Sequence, residues 1–126
     1  PHDAAVRVLA RGMLDLGLLA GDLDGLIERG AYKRFYMHRT GHWLGRDVHD
    51  AGEYKVAGEW RPFQPGMTLT VEPGLYIRPA DDVPEAYWNI GIRTEDDVLV
   101  TEVGHEVLTE ALPRTAAAIE EAMRHE

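Results

Sequence analysis

Three short segments carry most of the side chains able to do chemistry: residues 38–45 (HRTGHWLG), 70–74 (TVEPG) and 91–96 (GIRTED). Each sets a metal-ligating group beside glycine or proline. His42 follows Gly41, Glu72 precedes Pro73, and Glu95 closes the Gly91-Ile92-Arg93-Thr94 run. One imidazole and two carboxylates held at turns and strand ends make a donor set for a divalent ion. Manganese, cobalt or zinc fits such a set better than calcium or copper.

Each segment also has a plainer reading. A histidine beside Trp43 can be a packed or hydrogen-bonded core residue. His38 lies four residues before His42, and on a helix the two would share a face as zinc ligands do. Gly41 and Gly45 argue against a helix there. His49, with Asp47 and Asp50 nearby, can have its tautomer set by a carboxylate or can belong to a solvated acid-His-acid turn. Glu72 can be an exposed edge charge. Glu95 can belong to an acidic turn with Asp96 and Asp97, and Arg93, two residues before it on the same strand face, can simply pair with it.

The elements that must position these groups follow from the apolar spacing. Residues 3–19 carry Ala5, Val6, Leu9, Met13, Leu16 and Leu19 at helical intervals, with Asp3 as a candidate cap. Asp22 or Asp24 can cap a short helix over 23–29 that Gly30 ends. Glycines punctuate residues 38–52, which are expected to be loop and short strand, and residues 53–66 are expected to be loop. Residues 67–72 alternate apolar and polar as a half-buried strand does, and 75–77 continue it past a Pro-Gly kink. Residues 79–86 are an acidic, proline-bearing loop. Strands are expected over 90–94, 98–101 and 106–109, paired as a meander with a turn at Asp96-Asp97, and a closing helix over 115–123. Helices, then an antiparallel sheet, then a helix define an α+β fold, read as one domain over residues 1–126.

Composition bounds the function. Thirteen basic against twenty-two acidic residues give a formal charge of −9, which argues against a nucleic-acid or anionic-membrane surface. The absence of cysteine excludes disulfides, thiolate metal sites and thiol nucleophiles, and fits a reducing compartment. No apolar run reaches membrane-spanning length and no signal-peptide pattern opens the chain. The chain starts at Pro1, as expected of a processed product or a piece of something longer.

Taken together, residues 38–50 (HRTGHWLGRDVHD), 70–76 (TVEPGLY) and 89–97 (NIGIRTEDD) resemble the C-terminal half of the catalytic domain of bacterial Xaa-Pro aminopeptidases. These form the aminopeptidase P and prolidase branch of the pita-bread metallopeptidases. The resemblance covers nearly the whole chain. Trp43 and the Trp88-Asn89-Ile90-Gly91 lead-in look more like aminopeptidase P than prolidase.

The resemblance implies a curved antiparallel sheet with flanking helices and two metal ions, usually manganese, held by two Asp, one His and two Glu. By motif match His42 would be the histidine ligand, and Glu72 and Glu95 the two glutamates, with Glu95 bridging. His38 and His49 match two further active-site histidines, and Arg93 and Tyr76 match positions behind the metals. The implied reaction is attack of a dinuclear-metal-bound hydroxide on the carbonyl before a proline, so the substrate is a peptide with proline second. Glu72 would relay the proton, His49 would donate to the developing oxyanion, His38 would line the site and Arg93 would support it. Family habit also implies a homo-oligomer in the cytoplasm.

This sequence departs from the family pattern in three ways. The two Asp ligands should come from a hairpin upstream, yet Asp3, Asp15, Asp22 and Asp24 lie in helical or capping context. A further upstream histidine and an N-terminal domain are missing. Arg39 stands where a small residue is usual. The expectation is therefore an incomplete or empty site and little or no peptidase activity for this chain by itself. Exposed apolar surface that invites self-association is expected too. Two competing readings stand beside this one: a noncatalytic fragment or homologue that binds peptide or a protein partner, and an unrelated mononuclear His-Glu-Glu hydrolase.

Overall fold

The computed structural model describes residues 1–124 and divides into two compact units. The first comprises residues 1–42 and 71–95, the second residues 43–70 and those from 96 onward.

In the first unit, helix α1 (His2–Asp15) buries Val6, Ala10 and Met13 along one face. It ends earlier than residue 19 because Gly17 adopts φ 70°. The Leu18 amide bonds the Met13 carbonyl at 2.8 Å and the Gly17 amide bonds Leu14 at 3.1 Å, a Schellman stop that only glycine enters cheaply. Leu18 then packs in the same cluster as Met13. Asp3 is not the cap: Pro1 occupies that position without a side-chain bond, and Asp3 sits in the first turn. Helix α2 (Leu23–Glu28) is capped by Asp22, whose carboxylate accepts from the Gly25 amide at 2.9 Å. Its end is marked by Gly30 at φ 69°. A 3₁₀ turn, Ala31–Arg34, leads to Phe35 and Tyr36. These two join Val6, Met13, Leu18, Ile77 and Val83 in the core cluster of this unit.

Strands β4 (Gly74–Ile77) and β5 (Ile90–Arg93) complete the first unit as an antiparallel pair, with Gly74 opposite Arg93 and Ile77 opposite Ile90. The loop between them holds a 3₁₀ turn at Glu85–Tyr87, and the Trp88 indole donates to the Val83 carbonyl at 3.0 Å.

In the second unit, Lys55–Val56 (β1) and Glu59–Trp60 (β2) form a small hairpin where a loop was expected. Ala57 at φ 51° and Gly58 at φ 88° make its two-residue turn, and two left-handed residues are what a tight hairpin requires. Strand β3 (Thr68–Val71) lies beside β6 (Asp96–Thr101), which pairs in antiparallel fashion with β7 (Gly104–Val107). Helix α3 (Ala116–Met123) is capped by Thr115.

The expected meander over residues 90–109 is corrected. Strand β5 pairs with β4, whereas β6 lies between β3 and β7. Asp96 and Asp97 are not a turn but the first residues of β6, where the Thr109 hydroxyl donates to Asp96 at 2.7 Å. Strand β7 begins at Gly104, two residues earlier than expected, because Gly104 pairs with Thr101 across the turn.

Candidate metal centre

His42 and Glu72 both lie on irregular backbone, and Glu95 immediately follows β5. One nitrogen of His42 and one carboxylate oxygen from each glutamate converge to within 4.8 Å of one another, all in the first unit. His42 Nε2 stands 3.2 Å from Glu72 Oε1. That spacing serves two states: a proton on Nε2 donated to the carboxylate, or both atoms turned to one cation. Donors about 2.1 Å from a shared ion sit about 3 Å apart, so the pair already has the separation of neighbouring ligands. Glu72 and His42 are largely buried while Glu95 is exposed.

The other carboxylate oxygen of Glu72 faces the Arg93 Nε at 3.6 Å. The strand pairing explains this placement. Arg93 is opposite Gly74, two residues beyond Glu72, so the guanidinium is delivered beside the carboxylate. The cation offsets the cost of holding a carboxylate away from water.

His38 is tied at both ring nitrogens. Nε2 meets the Tyr76 hydroxyl at 2.9 Å and Nδ1 meets the Arg39 carbonyl at 2.7 Å. Gly74 makes the first contact possible, because a Cβ there would lie 2.6 Å from the Tyr76 hydroxyl. The Tyr36 ring meets the His38 ring edge-on at 5.0 Å.

A group that the sequence reading missed lies beneath these residues. Thr40 is buried, and its hydroxyl meets both the Tyr36 hydroxyl and His2 Nδ1, the latter at 2.8 Å. Its carbonyl accepts the Glu72 amide at 2.6 Å. Burial raises the Tyr36 pKa, with the Thr40 bond opposing the shift, so the phenol stays protonated. Burial, aided by the Arg39 cation, lowers the His2 pKa and favours the neutral ring. No local spacing signalled this cluster, because His2 and Thr40 are 38 residues apart.

The structure thus brings His38, His42, Glu72, Tyr76, Arg93 and Glu95 into one unit. His49 lies in the second unit, exposed, within a run of bends. Trp43 also belongs there, stacked on Tyr54 at 5.4 Å.

Comparison with known proteins gives the same picture. The sequence profile of metallopeptidase family M24 matches residues 2–102. The Xaa-Pro aminopeptidase of Haemophilus influenzae is 51% identical over 122 residues, which is 97% of this chain and 28% of that protein. The Xaa-Pro aminopeptidase of Escherichia coli is 50% identical over 118 residues, or 94% and 26%. Among solved structures, Pseudomonas aeruginosa aminopeptidase PepP superposes with TM-score 0.93 at 58% identity, covering 98% of this chain and 28% of that one. Zinc-substituted E. coli aminopeptidase P in complex with product gives TM-score 0.87 at 49% identity, covering 95% and 27%. The chain therefore spans little more than a quarter of the relatives it matches, and its α+β architecture is that of their pita-bread fold.

Proposed function

Because this chain belongs to metallopeptidase family M24, we propose that it is the C-terminal part of a metallo-aminopeptidase that removes the residue preceding a proline. The observation that carries the reading is the convergence of His42, Glu72 and Glu95. One imidazole and two carboxylates suit manganese, and also cobalt or zinc. These three residues would hold the metal. Once bound, the metal would supply Lewis acidity that polarises the scissile carbonyl and lowers the pKa of water.

The remaining steps belong to the chain's own residues. Glu72 takes and relays a proton, and Arg93 holds its second oxygen in place. His38, fixed by Tyr76, lines the substrate's path. His49 donates to the oxyanion that develops at the attacked carbonyl. The substrate is a peptide with proline second. Exposed Val103, Leu112 and Met123 support association with further copies, and the cysteine-free sequence supports a reducing compartment, the cytoplasm.

Three donors are few for two ions, so the chain by itself is expected to bind manganese weakly and to cleave little. Calorimetric titration with Mn(II) checks the first point, and Glu72→Gln is expected to weaken binding at least about tenfold. Assay of Xaa-Pro peptides checks the second, run beside a form extended to the relatives' full length. Cleavage by the extended form alone supports the reading. Undiminished binding in Glu72→Gln removes Glu72 from the site. Absence of cleavage in both forms favours a noncatalytic peptide-binding homologue.

A further inference from the structure

We propose that Thr40 is the positioning residue that couples the histidine segment to Glu72 and so sets the spacing of the donor set; this rests on reading His42 and Glu72 as ligands. Neither ligand has a strand ladder or helix to fix it. Residues 37–42 have no regular structure, and Glu72 and Pro73 fall between β3 and β4. Backbone left free in this way costs conformational entropy to order, and a metal site needs donors placed to within a fraction of an ångström.

Thr40 supplies the constraint through two groups at once. Its carbonyl accepts the Glu72 amide at 2.6 Å, which ties the two ligand segments directly. Its hydroxyl is gripped from below by Tyr36 and His2. Tyr36 is in turn locked in the core cluster, and His2 opens helix α1. The path therefore runs from rigid elements, through one buried hydroxyl, to the carbonyl that holds Glu72.

The proton count closes in either histidine tautomer. The Thr40 hydroxyl has one hydrogen and two lone pairs. If His2 Nδ1 donates, Thr40 accepts from it and exchanges its other bond with Tyr36. If His2 Nδ1 accepts, Thr40 donates to it and accepts from Tyr36. Both arrangements are satisfied, consistent with the finding that no buried side-chain polar atom lacks a partner among the described residues.

Threonine suits the post because its branched Cβ leaves few side-chain rotamers. Thr40→Val keeps that shape but removes the hydroxyl, leaving Tyr36 and His2 without this partner. Thr40→Ser keeps the hydroxyl and loses only a methyl.

The test uses the chain as it exists and has two readouts. Hydrogen exchange of the metal-free, nitrogen-labelled chain reports the tie itself. In Thr40→Val the Glu72 amide is expected to exchange about tenfold faster, with the Ala10 and Met13 amides in α1 unchanged, and Thr40→Ser is expected to restore it. Mn(II) affinity is expected to fall about tenfold in Thr40→Val and to recover in Thr40→Ser. Val83→Ala, which removes core volume in the same unit, is the control. It should lower the unfolding midpoint and speed core amides without singling out Glu72. The proposal is overturned if the Glu72 amide in Thr40→Val exchanges as in the unaltered chain, or accelerates only in step with the α1 amides. If the unaltered chain binds no manganese while Glu72 still responds to Thr40, the metal reading fails and the positioning stands.

Discussion

Phe35 and Phe63 show how differently the two units are built. Phe35 is 1% exposed at the centre of a cluster fed by α1, the turn after α2, and β4. Phe63 is 43% exposed and meets Trp43 edge-on at 6.1 Å. Among the described residues, every buried hydrophobic side chain except Leu69 lies in the first unit. In the second, Trp60 stands out on the hairpin with Lys55 over its ring, and α3 buries no side chain. The candidate ligands sit in the unit that has a core. A site needs ligands whose freedom is removed before the metal arrives, and packing removes it most cheaply.

The largest expected effect tests that contrast directly. Phe35→Ala should lower unfolding free energy by about 3–5 kcal/mol, as deletion of a buried aromatic does. Phe63→Ala should cost about 1 kcal/mol, the scale of a single aromatic contact. Urea unfolding of both variants measures the difference, and equal losses would erase the distinction between the units.

Helix caps give a smaller comparison. Asp22 and Thr115 each accept a bond from the amide three residues on. Asp22→Ala should cost about 1 kcal/mol, because α2 is anchored through buried Leu26. Thr115→Ala should leave the global unfolding midpoint nearly unchanged and increase only local exchange in α3. A global loss as large as that of Asp22→Ala would show α3 to be as firmly coupled as α2.

The smallest effect concerns pH. Arg34 grips the Asp82 carboxylate with two 2.6 Å bonds and holds its pKa below the ordinary carboxylate value. The folded-state pKa is depressed, so the contribution is full above the ordinary value and is lost as pH falls through the depressed one. Both side chains are well exposed, so the slope should be shallow. Urea midpoints measured from neutral pH downward should fall slightly more steeply than in Asp82→Asn; identical slopes would remove the pair from the stability of the first unit.

Much of the fold was legible in residue spacing. The helices at both ends, the short helix capped by Asp22, and strands near residues 68, 75, 90 and 98 all lie close to where periodicity placed them. The end of α1 was misjudged because Leu16 and Leu19 kept the helical interval after Gly17 had already turned the chain. The hairpin at residues 55–60 was missed because its two-residue strands are too short to show alternation, and its turn enters through Ala57, a residue that rarely takes positive φ. Arg93 and Glu95 were read as neighbours on one strand face, whereas Arg93 faces Glu72 in the structure. That contact depends on β5 pairing with β4, which alternation within β5 does not encode.

By itself the sequence determined the kinds of chemistry open to this protein. His42, Glu72 and Glu95, each beside a glycine, proline or strand end, were recognisable because residue type and local turn chemistry are local properties. Tertiary structure alone decided which strands adjoin, and hence that Arg93 stands beside Glu72. It also decided that His2, Tyr36 and Thr40 meet under the histidine segment. The reason is physical: an alternating strand presents the same faces to any partner, and a hydroxyl's partner 38 residues away is chosen by packing rather than by spacing.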